Sequence, residues 1–180
     1  MIVAALVFSK TKIGKKIRIK KLFPPGIFKN IFLYYEPEFF HSLMSKNGFY
    51  LPIRTRYAET DQMGYIHHGV YPAYLEMARI EWLKQFGVSY KSMEINGILL
   101  PVYQMKIKYF KPLTFDQLIK VHVRLNKQVG ARLQFGYVIT DESGQKTTEA
   151  TVEVVFANRQ GKPIRPPREI LDKIPVSNVK

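Results

Sequence analysis

HGVYPAYLEMARIEWLKQFG, residues 68–87, is the stretch on which the fold turns. Tyr71, Tyr74, Leu75, Ala78, Trp82 and Phe86 recur at intervals of three and four, which places them on one face of an α-helix. The spacing predicts a helix from about His68 to Phe86. Pro72 falls near its start, where a missing N–H does no harm. Gly87 stands where a glycine commonly ends a helix. A lone amphipathic helix of this length needs something to bury its apolar stripe against.

That partner is written into the flanking sequence. Residues 49–57, FYLPIRTRY, read as a strand before the helix. Four more strands follow it, over 98–110, 118–126, 132–140 and 146–158. In the second of these four, Ile119, Val121, Val123 and Leu125 alternate with Lys120, His122, Arg124 and Asn126. Leu133, Phe135, Tyr137 and Ile139, then Ala150, Val152, Val154 and Phe156, keep the same period of two, with one face in and one face out. Gly130 and the segment Asp141-Glu142-Ser143-Gly144 supply hairpin turns. The order strand, helix, four strands predicts an α+β fold, with one long helix packed on a five-stranded antiparallel sheet. A short helix reaching about Ile174 is expected in the tail.

The composition suits this. With 180 residues, 46% hydrophobic and 23% charged, the chain can form one globular domain with an ordinary core plus an extension. The expected boundaries are a basic, poorly ordered extension over 1–48, the folded domain over 49–165 and a tail over 166–180. Cysteine is absent, which excludes disulfides, thiolate metal sites and a cysteine nucleophile. A reducing cytosol is compatible with that, and a cytoplasmic location is the expectation. No run is long and apolar enough to span a bilayer. The run Ile2 to Phe8 has no basic region before it and no cleavage site after it, so no signal peptide is read.

The net charge is +14, and half of it sits in residues 1–48, where nine Lys/Arg face Glu36 and Glu38. Such a surface favours polyanions. The first 43 residues read either as a leader, with Met44 as the natural start, or as a basic-aromatic arm making weak contact with an anionic membrane. No nucleic-acid motif accompanies the charge, so no specific nucleic-acid partner is expected.

Chemistry-bearing residues concentrate in the turn between first strand and helix: Tyr57, Glu59, Thr60, Asp61, Gln62, His67 and His68. The first amides of a helix lack internal partners and carry partial positive charge, so they can hold an oxyanion. Gly64 and Gly69 would let backbone approach a ligand. Asp61 can attack a polarised carbonyl or activate a water; a cap on a turn or helix is the other common use of such an aspartate. His68 could donate a hydrogen bond or simply start the helix, and His67 reads as solvent-facing. Glu76 is expected to pair with Arg79 on the solvated face. Adjacent histidines rarely converge on one ion, so no metal is expected. GxSxG, Walker and GxGxxG motifs are all missing.

The segment RTRYAETDQMGYIHHGVYPAYLEMAR, residues 54–79, resembles the active-site segment of the 4-hydroxybenzoyl-CoA thioesterase family, closest to its Tol-Pal-associated acyl-CoA thioesterase branch. Arg54, Tyr57, Thr60-Asp61, Gly64, Tyr65, His68, Tyr71, Glu76 and Ala78-Arg79 carry the likeness, which extends over about residues 50–165. It implies a hotdog fold and hydrolysis of acyl-CoA, with coenzyme A as part of the substrate and no separate cofactor. It further implies Asp61 as the catalytic carboxylate, Tyr57 and His68 as active residues, and amides of His68 and Gly69 on the thioester oxygen. Gly64, Tyr65 and Tyr71 would line the substrate. The resemblance also implies a homodimer or homotetramer joined at sheet edges. Lys106, Lys108, Arg124 and Arg132 are then contacts for the coenzyme A phosphates. Val70 departs from the family, which often has Asn, Arg or Lys there; Thr55, Ile66 and Pro72 are milder changes. A non-catalytic acyl-thioester-binding module and an acyl-carrier-protein thioesterase are the alternatives.

Overall fold

A computed structural model describes residues 48–175 of the chain. The basic extension and its membrane arm, and the last five residues of the tail, lie outside the described residues.

Five strands form one antiparallel sheet: β1 (Tyr50–Arg54), β2 (Val102–Tyr109), β3 (Leu118–Val129), β4 (Arg132–Thr140) and β5 (Lys146–Val155). Their order across the sheet is β1-β3-β4-β5-β2. β3, β4 and β5 follow one another through hairpins; Gly130 and Gly144, at φ 57 and 83, take the left-handed turn positions that glycine reaches without strain. Between β1 and β2 runs α1 (Tyr71–Gln85), preceded by one 3₁₀ turn at His68–Val70. The helix proper therefore starts three residues later than the pattern suggests, with Pro72 in its first turn.

Alternation in sequence becomes two-sidedness in space. Ile119, Val121, Leu133, Phe135, Ile139, Val152 and Val154 all point inward and are buried. α1 lies over this face on its Tyr74, Leu75, Ala78 and Trp82 side, and Trp82 meets Phe135 edge-on with ring centroids 5.5 Å apart. Each such side chain removed from water stabilises the fold by about 1.5–3 kcal/mol. α1 ends where Gly87, at φ 67, closes a Schellman pattern: its amide donates to the Lys84 carbonyl and that of Val88 to Leu83.

Three features lie outside the sequence expectation. A six-residue helix, α2 (Tyr90–Ile95), follows α1 and buries Met93. The tail's α3 (Arg168–Leu171) is a single turn, yet Ile170 and Ile174 join the core. Arg79 does pair with Glu76, at 3.6 Å, but it is only 1% exposed and not on a solvated face. Its position in the helix turns it toward the sheet, where burial raises the pKa of Tyr137 and the guanidinium opposes that rise. Among the described residues, no helix is long and apolar enough to cross a membrane. A long helix laid on a five-stranded antiparallel sheet in this order is the hotdog fold.

Candidate active site

The turn that leads into α1 is a small closed loop. Tyr57–Glu59 make one 3₁₀ turn after β1. Thr60 then bridges to Ile66, the Asp61 amide donates to the Tyr65 carbonyl at 2.8 Å, and the His67 amide donates to the Glu59 carbonyl at 2.8 Å. At the tip, the Gly64 amide donates to the Asp61 carbonyl, with Gly64 at φ 76. Only a residue comfortable at positive φ closes this turn without strain. The outer side of the loop is fixed by the Ile66 amide donating to the Leu113 carbonyl and by a bridge from Tyr65 to Thr114. The segment 111–117 is braced in turn. Asp116 has φ 62, and Arg54 Nη1 donates to its carbonyl at 3.0 Å and to its carboxylate at 2.9 Å.

Asp61 is therefore held rigidly and half-buried. Its Oδ1 accepts from the Met63 amide at 2.8 Å and from the Tyr65 amide at 3.4 Å. The turn-capping role open to this aspartate from sequence is thus real, but it occupies one oxygen. Oδ2 has no hydrogen-bond partner among the described residues.

Asp61, Tyr65, His68 and Tyr71 line one cleft of about 310 Å³, together with Tyr109 and Lys111. His68 enters it from the 3₁₀ turn, and its carbonyl accepts a hydrogen bond from the Tyr109 hydroxyl at 3.2 Å. Tyr71 and Tyr109 pack edge-on, centroids 4.9 Å apart. Burial pushes both hydroxyls above the usual tyrosine range, Tyr71 further through its closeness to Tyr109, so both stay protonated at neutral pH.

Behind the loop sits Glu59, whose importance the sequence reading did not isolate. Its Oε2 accepts from the Arg56 amide at 2.7 Å and from the Tyr74 hydroxyl at 2.6 Å; its Oε1 accepts from Arg56 Nε at 2.9 Å. Burial alone would raise this carboxyl, but the hydrogen bonds from Arg56 and Tyr74 outweigh it and hold the pKa below the ordinary value. The one signal in the sequence was the Arg56-x-x-Glu59 spacing, a capping-box pattern with arginine in the unusual first place.

Other expected residues are placed differently. Tyr57 is 76% exposed and packs edge-on against Phe115, outside the cleft. Gly64 closes the turn rather than lining the cleft. The Gly69 amide donates to His67 Nδ1 at 3.1 Å, so it is already engaged. Among the expected phosphate contacts, Lys108 sits over Phe110, Arg132 stacks on Tyr103 at 4.0 Å, and Arg124 lines a separate hollow of about 510 Å³ on the outer sheet face. None of these, nor Lys106, lines the Asp61 cleft. Tyr109 and Lys111, which do, lie at the end of β2 and just beyond it, where a strand pattern gives no sign of a site.

Known proteins give the family of the chain. Residues 63–148 match the family model described as the thioesterase superfamily. The protein YneP of Bacillus subtilis (strain 168) is 35% identical over 114 residues, covering 63% of this chain and 83% of that protein. YbgC of Escherichia coli O157:H7, named an acyl-CoA thioester hydrolase, is 28% identical over 112 residues, covering 62% of this chain and 84% of its own length. A solved structure titled as a DHNA-CoA thioesterase from Staphylococcus aureus superposes with a TM-score of 0.66 at 35% identity, covering 68% of this chain and 83% of that one. With fold and sequence agreeing over the same stretch, the chain belongs to the thioesterase superfamily.

Proposed function

We propose that this protein hydrolyses acyl-CoA thioesters to free acid and coenzyme A in the Asp61–His68 cleft. One observation carries the reading. A carboxylate fixed by its own turn, with one oxygen uncommitted, shares a cleft with the residues that start α1. The names of the relatives support the coenzyme A part.

The chemistry follows from what the cleft offers. A thioester carbonyl oxygen needs a donor as negative charge develops on it. The His68 amide, at the N-terminal end of the 3₁₀ turn that leads into α1, is the donor of this reading; the Gly69 amide serves only if His67 Nδ1 releases it. Asp61 Oδ2 then acts in one of two ways. As nucleophile it adds to the carbonyl carbon, the C–S bond breaks, and water hydrolyses the mixed anhydride. As base it takes a proton from water, whose oxygen adds instead. In both, the leaving thiolate is protonated to coenzyme A. Single turnover in ¹⁸O water bears on the choice: label in the Asp61 carboxylate marks the nucleophile, because the base route, like attack of water on the acyl carbon of the anhydride, labels only the released acid. Tyr57, outside the cleft of its own protomer, has no part in either scheme.

A second protomer belongs to the reading. Among the described residues β2 is a sheet margin whose outer backbone edge has no partner strand, and natural sheets cover or pair such edges. A homodimer joined there, or a tetramer of such dimers, places the cleft mouth beside the seam.

The test is a thiol-release assay over short, long and aromatic acyl-CoAs with wild type and Asp61→Asn. Wild type turns over at least one, and the variant loses on the order of 100-fold or more in kcat. Wild-type rates in the variant sink the assignment. Thioester binding without turnover by the wild type points instead to a binding module.

A further inference from the structure

Asp61 and His68 come from opposite ends of one loop, and one buried residue, Glu59, ties the loop together through its backbone and to α1 through its side chain. Glu59 stands two residues before Asp61. Its carbonyl accepts from the His67 amide, next to His68, and its carboxylate accepts from the Tyr74 hydroxyl at 2.6 Å, one turn into α1. The same carboxylate holds the Arg56 amide at the end of β1. Arg56, just past β1, and α1 therefore meet on one carboxylate whose side chain is 8% exposed, and its bond to Tyr74 is shielded from water.

We infer that Glu59 and Tyr74 are a positioning pair that fixes the Asp61 carboxylate relative to the helix start, and so set the rate of the reaction proposed for the cleft, on which this inference rests. Neither residue lines the cleft, so neither touches the substrate. Their effect passes through the loop. With the Tyr74 hydroxyl gone, the loop is still closed by Asp61–Tyr65 and Glu59–His67 backbone bonds, but the side-chain hydrogen bond from Glu59 to α1 is lost. Small misplacements of a reacting group are expensive in rate, while the cleft walls that hold substrate stay as they are.

The experiment uses the full chain with Tyr74→Phe, which removes one hydroxyl and keeps the ring, and Glu59→Gln as the second variant. The expected result for each is a fall in kcat of about tenfold with KM within about twofold. Amide hydrogen exchange at Asp61 and His67 should speed up while that of Leu75 and Ala78 inside α1 does not. An unchanged kcat per folded molecule in both variants overturns the inference, as does loss of kcat in step with loss of folded protein. Should wild type prove inert on every thioester, the proposed function falls. The exchange measurement then judges the clamp alone: faster exchange confined to the loop supports it, and unchanged exchange overturns it.

Discussion

In the proposed reaction Asp61 has two jobs for its two oxygens, capping its turn and reacting, and substitutions can separate them. Asparagine retains an acceptor for the Met63 amide but loses the charge and the second oxygen, so Asp61→Asn should fold as wild type and fail in turnover. Alanine removes the acceptor as well. Asp61→Ala should lose a further 1 kcal/mol or so of stability, read as a lower urea midpoint. His122 gives a residue-scale test away from the cleft. It is half-buried on the outer face beside Tyr50 and Lys120. Burial, then the Lys120 charge, lowers its pKa below the ordinary 6.5. A proton on this ring therefore favours the unfolded chain. Its share of stability is complete above about pH 6.5 and drains as pH falls from there toward the folded-state value. Urea midpoints at about pH 7.5 and 5.5 should differ less in His122→Gln than in wild type. Asp61 and His68 stood out in the sequence as chemistry-bearing residues of a polar turn, and they line one cleft, but the sequence pattern left Asp61 open between cap and catalyst and only the resemblance chose. Glu59 and the burial of Arg79 were not legible: whether a charge faces water or its neighbours is settled by the angle at which loop and helix meet the sheet, and that angle is not in the pattern.

At the scale of elements, legibility followed length. α1 and β3 to β5 repeat their period often enough for the buried face to be read directly. α2 has a single buried apolar residue, Met93, and is started by Ser89, whose hydroxyl accepts from the Ser92 amide at 3.2 Å. One turn cannot display a period. The 3₁₀ turn before α1 was read as helix because His68, Gly69 and Val70 carry no mark that separates the two. Two substitutions test the elements. Gly87→Ala meets nothing within 4 Å, so it reports backbone strain at φ 67 alone and should lower stability by about 1 kcal/mol in chemical denaturation. Phe135→Ala opens a void under Trp82 in a site with no exposure at all, and should lose about 3–5 kcal/mol.

For the whole molecule, the sheet's two margins behave differently. β1 is short and carries Pro52, whose missing N–H blunts it as a docking edge. β2 is longer, has Val102, Tyr103 and Tyr109 exposed, and lacks proline between Val102 and Tyr109. Sedimentation equilibrium should find a dimer or a tetramer, and Met105→Pro within β2, which removes an amide that faces away from β5, should shift it toward monomer while far-ultraviolet circular dichroism keeps its strand signal; a wild-type monomer at micromolar concentration removes β2 as the seam.

The order β1-β3-β4-β5-β2 also governs how the chain comes together. β1 is made before the other described strands, yet its sheet neighbour among the described residues is β3, beginning with Arg54 against Leu118, so it waits through the helix and the second strand for that place to dock. Late, distant closure of this kind slows folding. On the ribosome, α1 would emerge with its Tyr74, Leu75 and Trp82 stripe bare and nothing yet to cover it, so this is a nascent chain on which a chaperone has work to do.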